Sequence, residues 1–366
     1  MSKSREKSKE YACILNTENK HQLKSREELP MKVLGWIILA LLAVAFFALF
    51  AIQSLVAMNR PREPAELRSA ASIDMPVPTA GENASIPGVE NFEARDRSLV
   101  GFRHYRSAQP TRRKLYLVHA ETWDELQYSA LATALASRLG VADVYTLDMR
   151  GHGQNPLHRG DIAYVGQPTD DLADLIRATS TEGDVIVIGG HSTGAAVAAR
   201  LAVAPGQIKL AGLLLLAPIL SPDFAANKTD LGGWALPLTW RVAGLKIQNA
   251  LGIHWSDQEI ALQYAVPKAV WEGPLGFSVT SDYTWRFARS MQLPSSDGSD
   301  FAGVRAPYLA LIGSDDEVVD ATRLDSAIKS FNKHGETWVV PQETHFSLVN
   351  SQQTLAIIQN WLSKLR

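Results

Sequence analysis

Between residues 92 and 366, short runs of apolar residues alternate with stretches that suit helices, and this rhythm most limits the fold the chain can adopt. The runs are Leu115–Ala120 (LYLVHA), Val144–Asp148 (VYTLD), Val185–Gly190 (VIVIGG), Gly212–Pro218 (GLLLLAP), Tyr308–Gly313 (YLALIG) and Thr337–Val340 (TWVV). Helix-compatible sequence lies across Leu126–Leu139, Thr169–Thr179, Ala195–Val203, Ala321–Lys333 and Gln352–Leu365. A strand with one wet face alternates apolar and polar residues, whereas a run apolar throughout is buried on both faces. The chain is therefore expected to be α/β, with a mostly parallel central sheet and helices on both faces. The rhythm fails across residues 218–300, which reads as an insertion.

A second feature lies upstream. Val33–Ile52 is twenty residues without a charge, and apolar character continues to Met58. Twenty helical residues cover about 30 Å, the thickness of a bilayer's hydrocarbon core. Core helices are seldom apolar on every face, and cleaved signal peptides have shorter apolar regions behind short leaders. Here the leader is 32 residues long, so residues 33–58 are expected to form an uncleaved transmembrane signal anchor. Residues 1–32 carry eight Lys/Arg, against Arg60, Arg62 and Arg68 just beyond the span. That bias puts a disordered N-terminal tail in the cytoplasm and the rest of the chain on the outer side. Residues 59–92 hold Pro61, Pro64, Pro76, Pro78 and Pro87 and read as an extended linker, leaving 93–366 for the α/β domain.

Composition removes several classes. A 46% hydrophobic, 20% charged chain is not disordered, and a net charge of −2 gives a nucleic-acid partner nothing to bind. Cys13 is the only cysteine, so neither an intramolecular disulfide nor a cysteine-rich zinc site is available.

Chemistry concentrates at strand ends. Gly190-His191-Ser192-Thr193-Gly194 falls where the VIVIGG run meets an Ala-rich helix. Ser192 is the candidate nucleophile, because a weakly nucleophilic hydroxyl has to project from a sharp strand-to-helix turn to meet base and substrate. The pattern alone is weak; its position between strand and helix makes it specific. A candidate acid follows YLALIG in Gly313-Ser314-Asp315-Asp316. Asp316 is preferred by its spacing from Gly313, with Asp315 as competitor and Asp320 as third choice. His345 follows TWVV and is the candidate base, whereas His334 precedes that strand and belongs at the opposite edge of the sheet.

These residues, with Asp148-Met149-Arg150-Gly151-His152-Gly153, make residues 92–366 resemble the α/β-hydrolase superfamily. The branch it is most similar to contains lysophospholipases, monoacylglycerol lipases and serine aminopeptidase-like proteins. The resemblance implies an α/β-hydrolase fold with an inserted cap, and Ser192, Asp316 and His345 as a catalytic triad. It further implies an acyl-enzyme mechanism that needs no metal or organic cofactor. Backbone N–H groups of Thr193 and, by analogy, Glu121 would form the oxyanion hole. One departure stands out: relatives usually carry His-Gly where this chain has His119-Ala120-Glu121. Arg150-Gly151-His152-Gly153 reads as a structural loop bordering the pocket.

The inserted segment holds Trp234, Trp240, Trp255, Trp271 and Trp285, which can serve as cap core, as pocket lining or as contacts to a membrane surface. An anchor plus an aromatic cap points to a lipid ester, either acylglycerol or (lyso)phospholipid, as substrate. A peptidase or amidase on the same triad, and a non-catalytic binding protein on the same fold, are the alternatives.

Overall fold

A computed structural model describes residues 31–63, 65–67, 73–75, 86–153, 158–204, 206 and 208–366. The expected tail lies outside these residues apart from Met31 and Lys32.

The central sheet has eight strands among the described residues, in the order β1-β2-β4-β3-β5-β6-β10-β11. They are β1 (Val89–Glu93), β2 (Leu99–Tyr105), β3 (Arg113–Val118), β4 (Asp143–Leu147), β5 (Val185–His191), β6 (Leu210–Leu216), β10 (Tyr308–Gly313) and β11 (Gly335–Val340). From β4 to β11 neighbours run parallel, while β1 and β2 form an antiparallel edge. Two-face burial explains the apolar runs. Tyr116 and Val118 of β3 enter one core, and Leu115 and Leu117 enter the other. Strand β6 divides the same way, Leu213 and Leu215 against Leu214 and Leu216. The helices α2 (Gln167–Thr179), α3 (Thr193–Val203), α6 (Leu324–Phe331) and α7 (Gln352–Lys364) flank the sheet.

Two elements differ from the sequence reading. The sheet begins at Val89, ahead of the expected domain start at 93, because VENFE and LVGFRHY pair as a hairpin at the sheet edge. An edge strand exposed on one side carries no continuous apolar run, so it left no such signature. The described parts of 59–92 also lie against the domain. Leu67 is fully buried, Ile73 and Met75 enter the core beside β1 and β2, and the Arg62 backbone bonds twice to the Gln263 amide.

The insertion forms a small layer over the sheet's carboxyl edge. Its strands β7 (Ala235–Pro237), β8 (Ile260–Tyr264) and β9 (Asp282–Thr284) are antiparallel, with helix α4 (Thr239–Ala250) between β7 and β8 and helix α5 (Trp285–Ser290) after β9.

Upstream, helix α1 spans Met31–Ala57 with a mean hydropathy of 2.8 in its most apolar window, none of which is buried. Its length of about 40 Å is enough to cross a membrane. Among the described residues, its last turns are what touch the rest of the protein. Val56 packs against Leu245, Ala261 and Trp285. Arg241 Nε donates to Val56 O at 2.9 Å, and Gln248 Nε2 donates to Gln53 Oε1 at 2.9 Å. Gly244 stands at the crossing, where a Cβ would come within 2.9 Å of Val56 N.

Candidate active site

Ser192 lies between β5 and α3 at φ +55° and ψ −123°, a conformation that side chains disfavour. Its N–H donates to Leu216 O at 2.9 Å, and its carbonyl accepts from Ala195 N at 3.2 Å. A Cβ on Gly190 would stand 2.3 Å from Gly194 O, and one on Gly194 would stand 2.3 Å from Val118 O. The G-x-S-x-G spacing thus has a packing cause: the turn closes only if both flanking residues lack side chains.

The chain returns to this turn twice. His345, in the loop after β11, places Nε2 2.9 Å from Ser192 Oγ. Its Nδ1 faces the Asp316 carboxylate at 2.9 and 3.1 Å. Asp316 sits after β10, and its Oδ1 also accepts from Val318 N at 2.8 Å and Val319 N at 2.7 Å. All three side chains are buried. Asp315 instead points outward to Ser314, Asp320 is tied to Thr322 and Arg323, and His334 is exposed at the other edge.

Electrostatics follows the geometry. Burial raises the Asp316 carboxyl, but the His345 charge and hydrogen bond and two backbone N–H groups outweigh it and hold it below the usual range. Burial lowers His345, but Asp316, with Glu121 and Glu317 adding to it, lifts the imidazole above its ordinary value.

Further residues fix the base, His191 of the elbow motif among them. Glu317 accepts from His345 N at 2.9 Å. Gln127 Nε2 approaches His191 Nδ1 at 2.9 Å, which makes His191 Nε2 the donor to His345 O at 2.8 Å. Burial pulls His191 down to about 3, so it stays neutral in that role.

The oxyanion side departs from expectation in kind. Glu121 reaches the site with its carboxylate, which accepts from Ser192 Oγ at 3.1 Å, from Thr193 N at 3.3 Å and from Thr193 Oγ1. The sequence reading gave Glu121 a backbone N–H at the oxyanion hole and noted Ala120 as a departure from the His-Gly of relatives, and did not foresee the Glu121 carboxylate at Ser192. Arg150 bridges Asp96 and Asp171, and buried His152 bonds to Tyr283 Oη at 2.8 Å, as suits a structural loop beside the pocket.

A cavity of about 530 Å³ runs from Thr193 under the cap, with Trp234, Val242, Tyr264, Trp285 and Met291 among its walls. Trp234 also meets the His345 ring edge-on at 6.0 Å, whereas Trp240 and Trp255 are exposed. A larger cleft of about 930 Å³ lies at the amino ends of β6 and β10, on the far side from Ser192.

The strand order, with nucleophile, acid and base candidates on the loops after β5, β10 and β11 at one sheet edge, defines an α/β hydrolase. The chain belongs to the family described as "Serine aminopeptidase, S33", whose profile matches residues 109–350. Among curated proteins, an uncharacterized protein, YnbC, of Escherichia coli K12 is 26% identical over 177 residues, covering 46% of this chain and 29% of that protein. Less than a third of that relative's length is thus shared. A soluble variant of the Saccharomyces cerevisiae monoglyceride lipase, solved with a substrate analogue, superposes with a TM-score of 0.58 at 15% identity, covering 79% of this chain and 98% of its own. A membrane phospholipase A described as a bacterial virulence factor superposes at 0.52 and 17% identity, covering 90% of this chain and 97% of its own.

Proposed function

We propose that this protein is a membrane-anchored serine hydrolase that cleaves carboxylic esters of lipids, acylglycerols or phospholipids, through an acyl-Ser192 intermediate. The observation that carries the reading is the continuous contact from Asp316 through His345 to Ser192 Oγ, opening onto an apolar cavity. In the reaction His345 Nε2 takes the Ser192 proton as Oγ bonds to the acyl carbon, and the carbonyl electron pair moves onto oxygen. Collapse breaks the bond to the leaving alkoxide, which receives that proton from His345. Water, deprotonated by His345, then releases the fatty acid and restores Ser192. Asp316 holds the imidazole in the required tautomer and stabilises its charge.

Several features favour a lipid. Helix α4 contributes Val242, Ala243 and Lys246 to the cavity and also carries the end of α1, so the pocket lies beside the apolar helix. Among the described residues the lining holds Lys228, Lys246 and Arg289 and no carboxylate, which suits an anionic head group or a fatty-acid product better than the ammonium of a peptide. The monoglyceride lipase and phospholipase neighbours fit the same class. In this reading α1 spans the membrane with the N-terminus in the cytoplasm and the α/β domain outside, a topology that protease protection of sealed vesicles checks.

The test is labelling of the full-length protein by a fluorophosphonate probe, with hydrolysis of p-nitrophenyl esters and aminoacyl anilides measured in parallel. Labelling at Ser192, its loss in Ser192→Ala, and turnover of esters over anilides are the expected results. Undiminished esterase activity in Ser192→Ala overturns the serine mechanism, and faster turnover of anilides overturns the ester assignment.

A further inference from the structure

An arginine taken out of water is usually met by a carboxylate, because desolvating its charge alone is costly. This chain does so at Arg103 with Glu125, at Arg150 with Asp96 and Asp171, and at Arg286 with Asp161, all between 2.6 and 2.8 Å. Arg200 on α3 and Arg289 on α5 are also half-buried, yet neither forms an ion pair among the described residues. They hold one residue from two sides instead. Arg200 Nη1 donates to Gln292 O at 2.9 Å, and Arg289 Nη1 donates to Gln292 Oε1 at 2.7 Å. Arg289 Nη2 donates to Pro294 O at 3.1 Å, and its guanidinium stands 6.0 Å from the centre of the Trp285 ring. These neutral partners orient the guanidinium without cancelling its charge. Burial pulls both arginines below the usual guanidinium range, and the neighbouring charge of Arg289 lowers Arg200 further.

That charge borders the substrate cavity. Arg289 and Gln292 line the same space as Thr193, and Met291 between them brings Sδ to 3.6 Å from Thr193 Oγ1. The end of α5 is therefore wall next to the nucleophile's turn. Lys228 Nζ is taken up by Asp316 O, whereas exposed Lys246 stands at the rim with no ion pair among the described residues. Much of the remaining wall is apolar, Trp234 and Val242 included, and suits an acyl chain. Two of the five guanidinium N–H groups of Arg289 are in use, which leaves the others for a ligand. A neutral acylglycerol brings no charge to meet them, and a released fatty acid has its carboxylate at Ser192 itself. A phosphate on the alcohol side of the ester carries both the charge and the oxygen geometry that a guanidinium fork matches.

We propose that Arg289 is a specificity-determining residue: it pairs with a phosphate carried by the leaving alcohol, so that the preferred substrate is an anionic phospholipid or lysophospholipid and not a neutral acylglycerol. The proposal rests on the reading that Ser192 takes the acyl group of a lipid ester. The phosphate bonds stay intact throughout. Ser192 Oγ bonds to the acyl carbon, the bond from that carbon to the alcohol oxygen breaks, and His345 delivers the Ser192 proton to that oxygen, releasing a glycerophosphodiester. Arg289 gives and takes no proton; it fixes where the head group lies while the carbonyl meets Ser192.

The experiment compares kcat/KM for oleoyl lysophosphatidylglycerol and for monooleoylglycerol, which share the acyl chain and differ in the phosphoglycerol, in one uncharged detergent at one salt concentration. Full-length wild type, Arg289→Met, Arg289→Lys and Arg305→Met are compared, with thermal unfolding and fluorophosphonate labelling of Ser192 as checks. Wild type should favour the anionic ester. Arg289→Met should lower the anionic-to-neutral ratio by about ten- to a hundredfold, mainly through KM for the anionic ester, the scale of one charge-assisted hydrogen bond. Arg289→Lys should recover part of that loss, and it decides the matter with Arg289→Gln should Arg289→Met not fold. Arg305→Met removes a charge from the cleft on the far side of the sheet and should keep the wild-type ratio. A wild-type preference for monooleoylglycerol, or an unmoved ratio in folded and labelled Arg289→Met, overturns the head-group assignment and leaves Ser192 as nucleophile. An unmoved ratio with weakened inhibition by oleate gives the site to the fatty-acid product and overturns it equally. An equal fall in Arg305→Met reduces the effect to net charge and does the same. Absence of labelling at Ser192 in folded wild type overturns both readings.

Discussion

The backbone at Ser192 separates stability from function. Its φ of +55° and ψ of −123° place a side chain in territory that costs about 1–3 kcal/mol and that glycine enters freely. Ser192→Gly and Ser192→Ala both lack the hydroxyl, so their difference isolates the strain. Ser192→Gly is expected to be more stable than Ser192→Ala by about 1–2 kcal/mol in denaturant titration, with neither labelled by a fluorophosphonate. Asp316 gives a second prediction. Because Asp316 lifts His345, kcat/KM should rise with pH through a value above the ordinary histidine pKa, as the imidazolium loses its proton. Asp316→Asn should move that acid limb to lower pH and cut kcat by about ten-thousand-fold through loss of the correct tautomer. Ser192 and His345 were legible because position at a strand end, not residue type, singles them out. The choice between Asp315 and Asp316 was less so: adjacent carboxylates differ only in which one turns inward, and here the N–H groups of Val318 and Val319 draw Asp316 in. The Glu121 carboxyl at Ser192 could not be read, since a contact between residues 71 apart leaves no local pattern.

Elements buried on both faces were the easiest to read. Strands β3, β5, β6 and β10 announced themselves through continuous apolar runs, and the helices between them through their spacing. The hairpin β1–β2 was not legible, because one-sided burial mixes Phe92 and Phe102 with charged neighbours. Helix α1 was visible from length alone, but its docking on α4 was not. The partners are Gln53, Arg241, Gly244 and Gln248, ordinary residues whose meaning lies in their meeting. Gly244→Leu tests that contact. A side chain at the crossing has to displace the α1 backbone, an overpacking that typically costs about 1–3 kcal/mol. The variant is expected to unfold at lower temperature in detergent. It should also lose more activity on a long-chain ester in vesicles than on a soluble short-chain ester.

At the scale of the whole molecule, helix α1, cap and sheet form one stack, with the cavity between cap and sheet and α1 leaving from the cap. A chain starting at Asn59 lacks α1 and uncovers the patch of Leu245, Ala261 and Trp285. Vesicle flotation should find that protein unbound, and its rate on a vesicle-borne long-chain ester should fall at least tenfold relative to its rate on a soluble ester, the scale on which tethering acts. Retained flotation would show that the cap itself holds the membrane.

The clasp between α1 and α4 also sets an order of assembly. Hydrogen bonds from the end of α1 and the residues just after it to the cap join positions 181 to 201 apart, Trp240 to Asn59 and Arg62 to Gln263 among them. A ribosome delivers α1 long before Arg241 exists, so the first helix waits for its partners while more than half of the chain is still being made. Contacts closing so long a loop form late. The nascent cap therefore matures late, with α1 already in place as the template onto which it closes.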